Sequence, residues 1–346
     1  MPRTRLAAGL AAASLLLLLA GCATSTPAAT DDTTDAPASD ATFPITIEHA
    51  YGETEITSQP ERVATVAWGN HEVPLALGVV PVGMSKATWG DDDGDGVLPW
   101  VEDKLEELGT ETPVLFDETD GLPFDQIADT QPDVILAAYS GLTQEDYDTL
   151  SKIAPVVAYP DVAWGTSYQD MIRINATAMG LADEGEELVT HLEEVVDTAL
   201  AAQPELAEST AMFSWIDETD LSKIDFYTSH DTRPGFLADL GMPLPAIVEE
   251  ESAATEAFYV SVSTEQADRF DDVDIFVTYG DPEGTLIATM QADPLLSKIP
   301  AVAEGRIAIL ENSTPLAASA NPSPLSIEWA IDDYFALLAG ALDGTD

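Results

Sequence analysis

The chain has 346 residues and carries 63 Asp and Glu against 12 Lys and Arg, a formal net charge of −51. A polyanion of this kind lacks the basic surface that holds phosphate backbones, so nucleic acid is excluded as a partner. Hydrophobic residues still make up 45%, enough over this length to bury large cores, and the length favours two domains over one. The charge itself speaks to habitat: a salty or alkaline medium screens such self-repulsion.

In chain order, MPRTR is a basic start, AAGLAAASLLLLLA an apolar run, and LAGC a small-residue close. That is the build of a secretory signal, and the apolar run falls short of the roughly 20 residues that span a bilayer. The LAGC ending resembles the lipobox of bacterial lipoproteins. It implies a signal peptide over residues 1–21 and a lipid on Cys22, which as the sole cysteine has no disulfide partner. Residues 22–42, rich in Ala, Thr, Ser, Asp and Pro without apolar periodicity, read as a flexible tether.

The ordered part opens with FPITIEHAYGETEI, an alternating stretch around Tyr51-Gly52 that predicts a β-hairpin. RVATVAW then reads as a strand, HEVPLALG as a short helix ending at Gly78, and VVPVGM as the next strand. PWVEDKLEELG is helical, PDVILAAYSG an apolar strand, DYDTLSKI a helix and APVVAYP another strand. Fully apolar strands alternating with helices predict a parallel sheet covered on both faces. From Ser167 to about Gly180 apolar residues recur at helical spacing, through Met171, Ile174, Ala178 and Leu181. That stretch is a candidate rigid connector.

The second half repeats words of the first in the same order. Leu75-Ala76-Leu77-Gly78 is echoed by Ala238-Asp239-Leu240-Gly241, DVILAAYSG at 133–141 by DIFVTYGD at 274–281, and Leu150-Ser151-Lys152-Ile153 by Leu296-Ser297-Lys298-Ile299. Three echoes in one order predict two α/β lobes: an N-terminal lobe over 43–165, a connecting helix over 166–182, and a C-terminal lobe over 183–346.

The segments TIEHAYGETEI, PERVATVAW, LALGVVPVGM, QPDVILAAYSGLT and LSKIAPVVAYP, in that order, resemble the iron-siderophore substrate-binding lipoproteins of bacterial ABC importers. The likeness runs from about Phe43 into the C-terminal segment SPLSIEWAIDDYFALLAGAL. It implies two Rossmann-like lobes joined by a single long α-helix and a ligand cleft between them. It also implies an extracytoplasmic, lipid-anchored monomer that docks on ABC permease subunits. In that family an acid on the helix after the first strand meets permease arginines; Glu72 matches that position, and Asp231 is its loose counterpart in the second lobe.

The residues indicate the same cleft. In open α/β sheets ligands sit at strand carboxyl ends, and those positions here hold Trp68, Asn70, Lys86, Trp89, Tyr139 and Ser140, then Trp215, Tyr227, Arg233 and Tyr279. Flat apolar rings with a few cations suit a ferric chelate, whose own oxygens already satisfy the metal, so no cofactor is required. Lys86, Arg173, Lys223 and Arg233 are the cations assigned to the cleft. Their scarcity favours a near-neutral hydroxamate over a charged catecholate.

Two further features remain. Asp91, Asp93, Asp95, Gly96 and Glu102 fit D-x-D-x-D-G-x5-E, the ligand order of a calcium loop. His230, on a second-lobe loop, would serve as an axial ligand if the cargo were haem, the rival within this fold together with cobalamin. An exported enzyme is the rival from another class, but G-x-S-x-G, a P-loop and zinc spacing are all missing.

Overall fold

The computed structural model describes residues 41–344. The signal segment, Cys22 and the tether up to residue 40 lie outside the described residues. β1 (Ile45–His49) and β2 (Gly52–Ile56) pair antiparallel with His49 opposite Gly52. Ile47, His49, Thr54 and Ile56 are buried while the residues between them are exposed, the period-2 pattern of a hairpin with one face on a core.

Strands and helices then alternate: β3 (Val63–Thr65), α1 (Glu72–Ala76), β4 (Gly83–Ser85), α2 (Pro99–Leu108), β5 (Val114–Phe116), α3 (Phe124–Asp129), β6 (Val134–Leu136), α4 (Gln144–Leu150) and β7 (Val156–Val157). The five strands form one parallel sheet in the order β5-β4-β3-β6-β7. β3, β6 and β7 are buried at every position, as the continuous apolar runs predict.

α5 (Tyr168–Met179) follows and stops at Gly180, whose left-handed backbone (φ 75°) closes the helix before α6 (Ala182–Ala201) begins. The second sheet is built from β8 (Ala211–Trp215), β9 (Lys223–Tyr227), β10 (Tyr259–Ser263), β11 (Ile275–Gly280) and β12 (Ile307–Glu311). Between β9 and β10 lie α7 (Thr232–Asp239) and α8 (Ala246–Ala254); α9 (Leu286–Ala292) and α10 (Pro300–Ala303) connect β11 to β12. α11 (Pro315–Ser319) and α12 (Pro324–Leu342) end the fold.

The order β10-β9-β8-β11-β12 mirrors the first sheet, and the echoes keep step with it: DVILAAYSG and DIFVTYGD supply β6 and β11 in fourth place, and the LSKI words precede β7 and β12 in fifth. The expectation of a parallel sheet needs correction here. β9 runs antiparallel to both β8 and β10, because the short 216–222 segment after β8 leaves no room for the dozen or more residues of a parallel crossover.

One apolar cluster joins both sheets. Leu136 of β6, Ile172 and Ala176 of α5, Leu192 and Val196 of α6, Phe213 of β8, Val277 of β11 and Phe335 of α12 belong to it and are essentially inaccessible to solvent. Wide hinge opening would expose these side chains at about 1.5–3 kcal/mol each.

Candidate ligand cleft

In the first lobe, the turn after β3 is clamped from two sides. The Ala67 backbone takes the left-handed region (φ 61°), and its N–H donates to both carboxylate oxygens of Glu118, at 3.0 and 3.2 Å. Burial pushes the Glu118 carboxyl up to about 7 against the pull of the Ala67 N–H and the Ser85 hydroxyl. Asn70 is fully buried. Its amide donates to the carbonyls of Val66 (2.9 Å) and Tyr139 (2.8 Å) and accepts from Tyr139 N–H (3.2 Å) and Asn175 Nδ2 (3.0 Å). The ends of β3 and β6 are thus tied to each other and to α5, which fixes Trp68 and Tyr139.

The Tyr139 ring meets Trp164 edge-on, with centroids 5.3 Å apart. Gly141 makes this possible, because a Cβ there would lie 2.2 Å from Trp164 Nε1. The Tyr139 hydroxyl accepts from Asn321 Nδ2 at 3.0 Å and lies 3.2 Å from Thr232 Oγ1, which itself donates to Asn321 Oδ1 at 2.7 Å. With Thr232 donating to Asn321, Tyr139 donates to Thr232, and the three side chains close a ring across the lobes.

In the second lobe, Asp231 caps α7 and grips Arg233 through two bonds of 2.7 Å, Nε to Oδ1 and Nη2 to Oδ2. The guanidinium lies over the Tyr227 ring, 3.7 Å from its centroid, and Nη1 donates to the Tyr279 hydroxyl at 3.3 Å. Burial opposes the Arg233 charge, yet Asp231, Tyr279 and Tyr227 more than offset it and the group stays above its ordinary pKa. Tyr279 is edge-on to Trp89 at 5.4 Å and lies 6.3 Å from Trp215, and Trp89 continues to Trp68 at 6.5 Å.

These groups surround a cavity of about 280 Å³ lined by Trp68, Tyr139, Trp164, Asp231, Arg233, Phe258 and Asn321. A second cavity of about 190 Å³, lined by Trp215, Asp225, Phe226, Tyr227, Phe258 and Tyr259, meets it at Phe258. Trp68, Tyr139 and Arg233 therefore line the first cavity and Trp215 and Tyr227 the second, while Trp89 and Tyr279 line neither and touch the lining residues Trp68, Trp215 and Arg233. Trp164, Phe258, Tyr259 and Asn321 escape the strand-end reading. Trp164 follows β7 and that rule could have found it. Tyr259 opens β10 and Phe258 precedes it, and the place of that strand depends on the reversal of β9.

Several assignments change. Glu72 is completely buried and accepts from Trp100 Nε1 and from Leu325 N–H, both at 2.9 Å; a carboxylate so enclosed cannot meet a permease arginine. Asp231 is 1% exposed and committed to Arg233, so it belongs to the cleft and not to a docking surface. Arg173 binds Glu186 at 2.9 Å on the α5–α6 surface. Lys223 is paired with Asp225 at 2.9 Å, and Lys86 leans over Gly96, 3.9 Å from Asp117, lining neither cavity. His230 Nε2 faces the carbonyls of Thr255 (2.9 Å) and Ser252 (3.1 Å). Carbonyls only accept, so that nitrogen carries a proton and is not free to ligate haem iron. His230 lines a third cavity of about 150 Å³ between the starts of α5 and α7, which shares Asp231 with the first.

The Asp-rich loop follows Trp89. Ligand atoms of Asp91, Asp93 and Asp95 lie within 4.8 Å of one another, and the Asp91 carboxylate accepts from the N–H groups of Gly94 and Gly96, each at 2.7 Å. Desolvation first, then the charges of Asp95, Asp93 and Asp91, push the Glu102 carboxyl up to about 7. Three of the four acids named by the spacing, Asp91, Asp93 and Asp95, thus gather, and Glu102 is close enough to feel their charge.

A lobed α/β frame, a cleft between the lobes and an aromatic lining with one guanidinium describe a small-molecule receptor. The sequence profile described as "Periplasmic binding protein" matches residues 63–314. The chain belongs to the periplasmic binding protein family. Members are substrate-binding proteins, not enzymes. The crystal structure of Streptococcus pneumoniae TIGR4 PiaA in complex with ferrichrome is 45% identical, with TM-score 0.82 over 87% of this chain and 100% of that one. The Bacillus subtilis (strain 168) protein named "Probable siderophore-binding lipoprotein YfiY" is 28% identical over 68% of this chain and 67% of its own length. Staphylococcus aureus SirA complexed with staphyloferrin B shares the fold, at 21% identity and TM-score 0.65 over 85% of this chain and 98% of that one. As in other periplasmic binding proteins, the two lobes here present strand ends and loops to one groove.

Proposed function

We propose that this periplasmic binding protein captures a ferric hydroxamate siderophore outside the cytoplasm and delivers it to the permease of an ABC importer, tethered to the membrane through Cys22. The observation that carries the reading is Arg233. It is the cation in the first cavity, and its charge is already balanced by Asp231, so the cavity is close to neutral inside a chain of net charge −51. A catecholate chelate with several negative charges would enter against that field with no spare cation to meet it. A neutral hydroxamate chelate meets no such opposition, and its iron-bound oxygens can accept from the Arg233 N–H groups while its carbon skeleton packs on Trp68, Trp164 and Phe258. Bare iron is disfavoured because the cavity's one carboxylate is engaged. The similarity to PiaA, crystallised with ferrichrome, supports the same ligand class.

Four of the six Trp residues stand at the cleft, so binding is readable as quenching of intrinsic fluorescence. A panel of ferric hydroxamates, ferric catecholates, haemin, cobalamin and ferric citrate should give saturable tight quenching with hydroxamates alone. Tight binding of a catecholate or haemin instead would refute the proposal. Asp91, Asp93, Asp95 and Glu102 are proposed to hold calcium that stiffens the loop beside Trp89. Titration calorimetry of chelator-stripped protein should then show heat with calcium, and a silent titration removes that role.

A further inference from the structure

The second cavity lies on a sheet face near the ends of β8 and β9 and the start of β10, and its chemistry differs from that of the first. β9 alternates: Ile224 and Phe226 are buried in the second-lobe core, while Lys223, Asp225 and Tyr227 are half-buried on the other face. In the antiparallel ladder Trp215 stands directly opposite Asp225, and Tyr259 directly opposite Tyr227. Directly opposed residues share a face. Trp215, Asp225, Tyr227 and Tyr259 therefore project together, with Phe258 closing the side towards the first cavity, 5.0 Å from Tyr259 between centroids. Trp215 and Tyr259 are 46% and 53% exposed, unusual for side chains of this size.

Three features of this pocket specify its occupant. Aromatic rings on several sides with a carboxylate among them form the environment that attracts an organic cation, through ring faces and charge together. Asp225 accepts from Ser261 Oγ on one oxygen and from Lys223 Nζ on the other, and each oxygen keeps a second lone pair for a further donor. Asp217 and Asp220 in the β8–β9 turn act on Lys223 together with Asp225, so three carboxylates stand against one ammonium beside the pocket. The pocket also joins the chelate cavity at Phe258, so a ligand held at Arg233 can extend an arm into it.

We propose that this pocket is a subsite for an alkylammonium arm of the siderophore, so that the protein favours linear trihydroxamates ending in a primary amine over neutral forms. The assignment rests on the hydroxamate reading above and adds to it a second, charge-selective contact. Tyr227 divides the two regions: one ring face carries Arg233 and the ring borders the second pocket.

The test compares three ferric chelates by fluorescence quenching or calorimetry at fixed salt: a linear trihydroxamate with a free terminal amine, the same chelate with that amine acetylated, and a neutral cyclic trihydroxamate. Acetylation removes the charge and leaves the iron centre intact. The free amine should bind about 5- to 30-fold more tightly than the acetylated form. Asp225→Asn and Tyr259→Leu should each reduce that ratio towards one, with an unchanged circular dichroism spectrum showing that the variants are folded. Equal affinity for the free and acetylated forms in the wild type overturns the subsite. So does a preference that persists in both variants, because it then arises from the overall charge of the chain. If none of the three chelates binds, the hydroxamate reading itself falls, and the subsite with it.

Discussion

Replacing Arg233 by Gln tests the cleft at its most constrained point. The side chain is 15% exposed and its partner Asp231 1%, so the substitution does two separable things. It leaves Asp231 buried without its cation, and breaking a buried pair in this way costs about 3–5 kcal/mol of stability. It also removes charge-assisted hydrogen bonds to iron-bound oxygens, worth about 1.5–3 kcal/mol, or roughly 10- to 150-fold in affinity. The double variant Asp231→Asn/Arg233→Gln separates the two effects, because it relieves the stranded charge without restoring the donor. Urea unfolding should show the single variant destabilised and the double variant largely recovered. Quenching titrations with a ferric hydroxamate should show both weakened alike. Affinity that recovers together with stability would mean that Arg233 only shapes the cleft, and undiminished affinity in the single variant would refute its role altogether.

Three further outcomes follow from neighbouring geometry. Gly141→Ala places a methyl carbon where Trp164 Nε1 now lies, so the indole must leave the cavity wall; hydroxamate affinity should fall at least tenfold, and unchanged affinity would show that Trp164 contributes nothing. Glu72→Ala strands the Trp100 and Leu325 N–H groups at about 1–3 kcal/mol each. Denaturant unfolding should show that loss with ligand affinity intact, whereas full stability combined with lost uptake would restore a docking role. Glu118 is pushed up to about 7 from 4.5. Its folded state therefore keeps a proton that the unfolded chain releases, and its contribution to stability declines as pH rises from about 4.5 to 7. Wild type should lose up to about 3 kcal/mol more than Glu118→Gln between pH 5 and 8; identical pH dependence would contradict this.

Much of the frame was legible because burial is written in composition. The apolar runs at Val63, Val134 and Val156 gave strands that are buried throughout, and the echoed DVILAAYSG and DIFVTYGD land on the matching strands β6 and β11 of the two sheets. The direction of β9 was not legible, since alternation reports faces and not orientation. The aromatic cleft was readable from strand ends, where Trp68, Tyr139 and Tyr227 gather. The roles of the charged residues were not. A rare cation looks equally available whether it meets a ligand, as proposed for Arg233, or a nearby acid, as Arg173 meets Glu186 and Lys223 meets Asp225. Glu72 shows the same limit from the other side. An acid at a helix start suggests a solvated charge, and only the packing of α2 and α12 over α1 reveals that it is enclosed.

Anomalous diffraction at the iron edge, from crystals grown with a ferric trihydroxamate, addresses the central reading most directly. It should place one iron in the groove facing Arg233, between Trp68, Trp164 and Phe258, with every coordinating oxygen supplied by the chelate. Iron coordinated by protein carboxylates or imidazoles, or a chelate bound anywhere outside the groove, would contradict it.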